Sequence, residues 1–388
     1  MPNANKGNIL LVSNYPSDVG YAWWLMEHFW ALLASHYERQ GSKAFLAYPS
    51  IRELPPTIRH SNLHPIEMTI PGTTQLEKRK LSQFIRENNI KAIYLTDRPW
   101  FSLSYAYLRL LGVRTIVVHD HTPGDRPPVG GIKGFVKAVR HRLPMVNADR
   151  QFCVSPLMRR RSIQNGRIPA SKCLVVQNGI PPVDPPSRPP EDIRHGLNIR
   201  PESVLCITTG RAHPYKRFDF IINVAADIQS NHPDEHIFFL IAGDGPALED
   251  LKVQVQHLGL EGKVILTGFR PDARELLTAA DLAMHAALGE GFSLSIVEYM
   301  SSGLPVLVPD IPSVKQAVDH EKNGMVYEKD DIQQATQFVV KLAREPEFRK
   351  QLSQNARIKA NTLYTLDVCT EAFQKACDTV FPSGKHSE

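Results

Sequence analysis

Residues 281–310 read DLAMHAALGEGFSLSIVEYMSSGLPVLVPD. The apolar run from Leu282 to Leu288 predicts a buried strand. Gly289-Glu290-Gly291-Phe292 then forms a glycine-bounded loop. A short helix follows, capped by Ser293 or Ser295 and stopped near Gly303. Leu304 to Val308 predicts the next strand. This is a βαβ unit with glycines where strand hands over to helix. The first N–H groups of such a helix lack intrahelical partners and attract an anion. Glu290 on the loop and Glu298 inside the helix flank that point. A ligand carrying phosphate and hydroxyls suits the pair, the amides taking the phosphate and the carboxylates accepting from the hydroxyls. A plainer reading stands beside it. Ser295-Ile296-Val297-Glu298 also fits a capping box, which only ties down the helix start, and leaves Glu290 as a solvated loop residue.

The same alternation extends outward on both sides. Upstream lie strands over Val204–Thr208, His236–Ala242 and Val264–Thr267, separated by helices over 217–229, 246–258 and 272–280. Downstream come a helix around 314–318, an edge strand over Gly324–Tyr327, and helices over 331–344, 346–363 and 367–380. The N-terminal half repeats the theme, with strands at 8–13, 44–47, 92–95, 115–118, 151–155 and 173–176. Strand–helix alternation of this kind indicates parallel sheets with helices on both faces. Between the halves, Pro181-Pro182, Pro185-Pro186, Pro189-Pro190 and Pro201 mark a linker.

Composition narrows the class. At 388 residues the chain has room for two or three domains, and a hydrophobic content of 42% excludes a largely disordered one. No apolar run is long enough for a membrane span, and no signal peptide is evident, so the chain reads as cytoplasmic. The five cysteines are scattered with no CxxC pair, which argues for neither zinc nor a disulfide framework. The net charge is only +5, but it is unevenly spread. Between Arg126 and Arg167 a run of cations, including Arg159-Arg160-Arg161, is opposed by Asp149 alone, which points to an anionic partner for the first half.

Several strand ends carry chemistry, and ligands of doubly wound folds bind beyond the carboxyl ends of strands. Thr209-Gly210-Arg211-Ala212-His213-Pro214-Tyr215-Lys216-Arg217 offers two cations, Arg211 and Lys216, that suit a diphosphate; a solvated basic loop is the alternative. Ile241-Ala242-Gly243-Asp244-Gly245-Pro246 starts like GxGxxG, but its sixth position is Leu248. A dehydrogenase is therefore disfavoured, while a tight turn beside a nucleotide stands. Gly268-Phe269-Arg270 places an aromatic and a cation where a base would sit, or else a packed ring and a surface charge. His119 and His121 flank Asp120 at a strand end, suited to orienting a hydroxyl or moving a proton, or to a purely structural role. Residues 131–142 form a basic amphipathic helix. It suits an anionic membrane surface, and equally an ordinary core-facing helix with a solvated basic face. Aromatics are not interleaved with its cations, so nucleic acid is not expected.

Taken together, TTGRAHPYKR, IAGDGPALEDL, VILTGFR, EGFSLSIVEYMSSGLPVLVPD and KNGMVYE, in that order, resemble the retaining glycosyltransferases of family 4 (glycosyl transferases group 1). Glu290 and Glu298 match that family's E-x7-E pair. In the first half the resemblance rests on HDHTPG, CVSPLMRRR and VVQNGI. It implies the GT-B fold, two Rossmann-like doubly wound parallel-sheet domains facing across a cleft. The expected division is an acceptor-side domain over 1–183, a Pro-rich linker over 184–201, a nucleotide-sugar-binding domain over 202–363, and a last helix, 364–388, crossing back to the first domain.

The resemblance also implies roles. Arg211 and Lys216 hold the diphosphate and stabilise the leaving group. Glu290 sits near the donor sugar hydroxyls, and Glu298 binds the ribose. Gly291, Phe292, Ser293 and Leu294 offer backbone amides, Arg270 falls near the base, and Gly20, Gly210 and Gly243 shape the loops around the donor. His119 matches the first-domain histidine near the reacting sugar, ahead of His121. The first loop departs from the pattern: SNYPSDVGYAWW has only Gly20 where paired glycines are common. The expected activity is retaining transfer from a UDP- or GDP-sugar donor to a glycan or lipid-linked acceptor in surface polysaccharide assembly. No metal and no cofactor beyond the donor are expected, and attachment is peripheral on the inner face of the membrane. The alternatives are a GT-B nucleotide-sugar epimerase and a non-catalytic sugar-nucleotide-binding protein.

Overall fold

The structure, a computed structural model, describes residues 7–18, 23–124, 126–183 and 185–381. The chain divides into two compact units. One comprises Met1–Thr122, Arg126–Gln177 and Cys369–Glu388, the other Pro123–Asp125 and Asn178–Val368.

The first unit is built on seven strands: β1 (Asn8–Val12), β2 (Ala44–Tyr48), β3 (Leu63–Glu67), β4 (Ile90–Thr96), β5 (Thr115–Asp120), β6 (Arg150–Cys153) and β7 (Cys173–Val175). They pair in the order β3-β2-β1-β4-β5-β6-β7, all parallel. The central strands have apolar, buried middles, residues 9–12, 92–95 and 116–118, as strands covered on both faces require. The edge strand β3 escapes sequence reading because Pro65 interrupts it; the position is tolerated where only one side, towards β2, is paired. The Pro156–Gln164 helix escapes it too. Its residues PLMRRRSIQ show no apolar period, and the helix is set instead by Pro156 in its first turn and by Ser155, whose hydroxyl caps the Met158 N–H at 3.2 Å.

The last helix, Leu366–Val380, closes this unit. Its Phe373 stacks on Phe29 of the Trp24–Glu38 helix at 4.5 Å between ring centroids and meets Tyr94 and Phe152 edge-on. Residues distant in sequence thus share one aromatic core.

The second unit has six strands: β8 (Val204–Thr209), β9 (Ile237–Ala242), β10 (Val264–Gly268), β11 (Leu282–Met284), β12 (Val306–Pro309) and β13 (Gly324–Tyr327). All are parallel, in the order β10-β9-β8-β11-β12-β13. The order reverses between β8 and β11, the switch point at which doubly wound sheets open a crevice. Strand β11 stops at Met284, short of the expected Leu288, because the chain turns out of the sheet there to form the site. The helix expected around 314–318 is one 3-10 turn, Lys315–Ala317.

The Pro-rich stretch also holds a helix, Pro190–Gly196, with Pro190 in its first turn. Ile193 is buried, and Arg194 pairs with Asp281, whose carboxylate also accepts from the Leu205 N–H. This part of the expected linker is therefore packed onto the second sheet. All five cysteines are buried, as small apolar side chains.

Candidate active site

The opening stretch and the loop after β8 meet at the switch point. Beyond β8 the chain makes a 3-10 turn, Pro214–Lys216, and Arg217 adopts a left-handed conformation, φ 55°, before the Phe218–Asn231 helix. That turn aims Lys216 at the loop after β11. Lys216 Nζ donates to Glu290 Oε1 at 2.7 Å, and the Tyr215 carbonyl accepts from the Leu288 N–H at 2.9 Å. His285, the first residue past β11, shares the same carboxylate oxygen, with Nε2 at 2.9 Å. Ser293 Oγ lies 3.4 Å from that nitrogen.

The electrostatics follow from this contact. Burial by itself would raise the Glu290 carboxyl, but Lys216 and the His285 hydrogen bond outweigh it and hold it at about 2. Burial also opposes charge on Lys216, yet Glu290 keeps its ammonium well above the usual range. The result is a buried, fully ionised pair. Burial pushes His285 below the usual imidazole range, an effect that the Glu290 hydrogen bond only partly offsets.

Ser293 is the N-cap of the Leu294–Ser301 helix, accepting from the Ile296 N–H at 3.5 Å. Ser295 is not the cap, so the capping-box reading of Glu298 falls. Glu298 instead accepts from Arg274 at 3.0 Å. Burial raises its carboxyl, with Arg274 pulling the other way. From the same helix, Tyr299 Oη accepts from the Thr209 N–H at 2.6 Å and ties it to the end of β8. Gly291 is buried, its carbonyl accepting from Gln316 at 2.8 Å, and Phe292 is buried against Tyr364.

The glycines of the neighbouring turns allow an unusual approach. A Cβ on Gly243 would fall 1.7 Å from the Gly210 carbonyl oxygen, and one on Gly245 2.4 Å from that of Ala212. The loops after β8 and β9 zip together there, through Gly210 N–H to Ala242 O and Ala212 N–H to Asp244 O.

Glu290, Lys216 and Ser293 thus converge around His285, Leu294 opens the helix that Ser293 caps, and Gly210 and Gly243 lie in the adjoining loops after β8 and β9. Arg211 is exposed, and among the described residues no hydrogen bond or ion pair engages its guanidinium. Arg270 is occupied elsewhere: both its Nε and Nη2 grip Asp272, at 2.7 and 2.6 Å, while Phe269 stands exposed beside it. Gly20 lies outside the described residues. His119 departs from expectation. It is fully buried, enclosed by Phe29, Phe152 and Phe373 and hydrogen-bonded to Tyr94, and burial drives it well below the usual imidazole range. The aromatic core seals the strand end over it. His121 is less enclosed as a residue, with Asp97 Oδ1 3.5 Å from its Nδ1, but both of its ring nitrogens are buried as well.

Sequence reading missed His285 and Arg274. His285 sat inside an apolar run and was absorbed into a strand; its position at a strand end, five residues before Glu290, was the available signal. Arg274 had no local signal, because its link to Glu298 spans 24 residues.

Two parallel, doubly wound units, the second with a carboxylate–lysine pair at its switch point, define the GT-B class. The chain belongs to glycosyltransferase family 4: the model of glycosyl transferases group 1 matches residues 190–359, and that of Glycosyltransferase Family 4 matches residues 26–183. It is 26% identical over 204 residues to the phosphatidylinositol N-acetylglucosaminyltransferase GPI3 subunit of Saccharomyces cerevisiae, covering 52% of this chain and 44% of that one. It is 29% identical over 189 residues to the UDP-Gal:alpha-D-GlcNAc-diphosphoundecaprenol alpha-1,3-galactosyltransferase of Escherichia coli, covering 48% and 46%. These matches span less than half the length of the relatives. Among solved structures it resembles Anabaena Alr3699/HepE in complex with UDP and glucose, with a TM-score of 0.75, 19% identity, and coverage of 96% of this chain and 100% of that one.

Proposed function

We propose that the chain is a retaining glycosyltransferase moving a sugar from a UDP- or GDP-linked donor to a glycan or lipid-linked acceptor in surface polysaccharide assembly, with no metal ion. The observation that carries this reading is the buried Lys216–Glu290 pair at the switch point of the second sheet. Lys216 and the exposed Arg211 neutralise the diphosphate, the amides at the Leu294–Ser301 helix start take its oxygens, and the leaving group needs no further cation. Glu290, kept ionised, accepts from the donor sugar hydroxyls and can exchange Lys216 for them. Glu298 accepts from the ribose, drawing on its bond to Arg274. The departing diphosphate takes the acceptor proton on the face that it leaves, which retains configuration.

Two likenesses support the donor class: the Anabaena structure holds UDP and glucose, and the E. coli relative is named for a UDP-linked sugar and a lipid diphosphate acceptor. Peripheral attachment to an anionic membrane is part of the same proposal. The Gly131–Arg140 helix does not face a core. Ile132 is 83% exposed and Phe135 70%, Val136 and Val139 are exposed with them, and Lys133 stands on the same helix. Among the described residues no helix is long and apolar enough to cross a membrane.

The deciding experiment is a panel of UDP-, GDP-, ADP- and dTDP-sugars scored by thermal shift and then by donor hydrolysis. One UDP- or GDP-sugar should raise the melting temperature and be hydrolysed slowly without acceptor. No shift with any nucleotide diphosphate would overturn the site assignment.

A further inference from the structure

The first unit holds a cavity of about 420 Å³ at the carboxyl ends of β4 and β5, roofed by the Gly131–Arg140 helix and the Pro156–Gln164 helix. Its wall is strongly cationic, with Arg98, Arg126, Lys137, Arg140 and Arg161 all lining it. Two carboxylates share the wall, and both are engaged. Asp120 accepts from Arg161 at 3.1 Å and from Gln151 at 3.2 Å, while Asp97 lies against His121.

The remaining four cations find only neutral partners among the described residues. Lys137 Nζ donates to the Asn165 carbonyl at 2.7 Å, Arg126 Nη2 to Thr122 Oγ1 at 2.9 Å, and Arg98 Nη2 to the Ile70 carbonyl at 3.1 Å. Arg140 lies over the Phe101 ring at 4.9 Å. The Arg98 Nε–H is buried with no acceptor. Burial depresses the Lys137 ammonium, and the neighbouring Arg126, Arg140 and Arg167 depress it further. Cations that outnumber the carboxylates of a cavity, five to two here, repel one another, and an anion with several oxygens relieves this by accepting from more than one fork at once.

We propose that this cavity binds a phosphate or diphosphate ester, the anionic head of the acceptor. This rests on the acceptor reading above and deepens it. The cavity holds a diphosphate but not a long hydrocarbon chain. The helix that contributes Lys137 and Arg140 carries Ile132, Phe135, Val136 and Val139 exposed on its outside. A lipid tail leaving the cavity would run along that apolar face, with its head held between the cations. The same chemistry would also hold a phosphate on a soluble glycan, and the test separates the two sources.

The full chain, saturated with UDP so that the second unit's site is filled, is titrated calorimetrically with inorganic pyrophosphate and with a water-soluble short-chain prenyl diphosphate. Wild type should bind both, and R126Q/R140Q should bind both at least tenfold more weakly with UDP affinity unchanged. Tighter binding of the prenyl compound, lost in F135S/V139S, assigns the phosphate to a lipid. Equal affinities assign it to a soluble ester. Pyrophosphate binding unaltered in R126Q/R140Q, or no uptake by wild type, overturns the proposal. If R126Q/R140Q fails to fold, K137Q is read in its place. If UDP itself does not bind, the donor reading fails, but pyrophosphate titration of a Lys216→Ala chain still tests this cavity.

Discussion

Glu290 shows how packing sets the charge state of a single carboxylate. Two donors, Lys216 and His285, converge on one oxygen, and burial makes each contact stronger than it would be in water. Removing either charge of the Lys216–Glu290 pair leaves the other buried and uncompensated, at a cost of roughly 3–5 kcal/mol. Lys216→Met and Glu290→Gln should each abolish transfer, and each should lower the denaturation midpoint. The double variant should recover much of the stability and none of the activity. A double-mutant cycle by chemical denaturation, paired with a transfer assay, checks this; additive stability losses would show that the pair does not interact.

His119 and His285 give a pH prediction of definite sign. Both are held below the unfolded value of ~6.5 by burial. Below that pH the unfolded chain takes up protons that the folded chain refuses, so the stability they contribute is fully present above pH ~6.5 and falls on acidification. The slope is up to ~1.4 kcal/mol per pH unit for each histidine. Imidazole NMR should place both titrations below that of a free histidine; titration of either at or above ~6.5 would contradict their burial.

At the scale of elements, the site depends on two loops that touch through glycine. The Gly243 Cα–H faces the Gly210 carbonyl with no room for a methyl group. Gly243→Ala should push the loops after β8 and β9 apart and cost ~1–3 kcal/mol, as overpacking does. Gly262 has open space around it, so Gly262→Ala should leave stability within ~0.5 kcal/mol. Denaturant midpoints of the two variants make the comparison, and equal midpoints would show that the close approach does not matter. The same contact explains why AGDG resembles a dinucleotide fingerprint without being one. Its glycines serve approach between two loops, where the fingerprint's third glycine would let helix and strand pack closely.

At the scale of the whole molecule, the exposed apolar face of the Gly131–Arg140 helix calls for a cover. If that cover is a membrane, the chain should co-sediment with anionic vesicles and less so with neutral ones, and the binding should weaken with added salt. Ile132→Ser/Phe135→Ser should abolish it while donor binding persists. Equal sedimentation with anionic and neutral vesicles, or an unchanged variant, would refute the membrane reading.

Much of this protein was legible along the chain, because period and turn chemistry are local. The two strand–helix alternations and the glycine loops after β8, β9 and β11 need only neighbouring residues to be recognised, and Arg211, Lys216, Glu290 and Glu298 stand out through the resemblance of their motifs to family 4. Tertiary structure decided what depends on contact between distant segments. It enclosed His119 with rings from the first and last helices, gave Glu298 to Arg274 instead of a capping box, and drew His285 out of its strand onto Glu290. It turned the apolar face of the Gly131–Arg140 helix outward, where periodicity alone is silent because a helical stripe reads the same whether it meets a core or a solvent boundary. Burial and partner choice are properties of three-dimensional packing, and they set the charge states on which the chemistry rests.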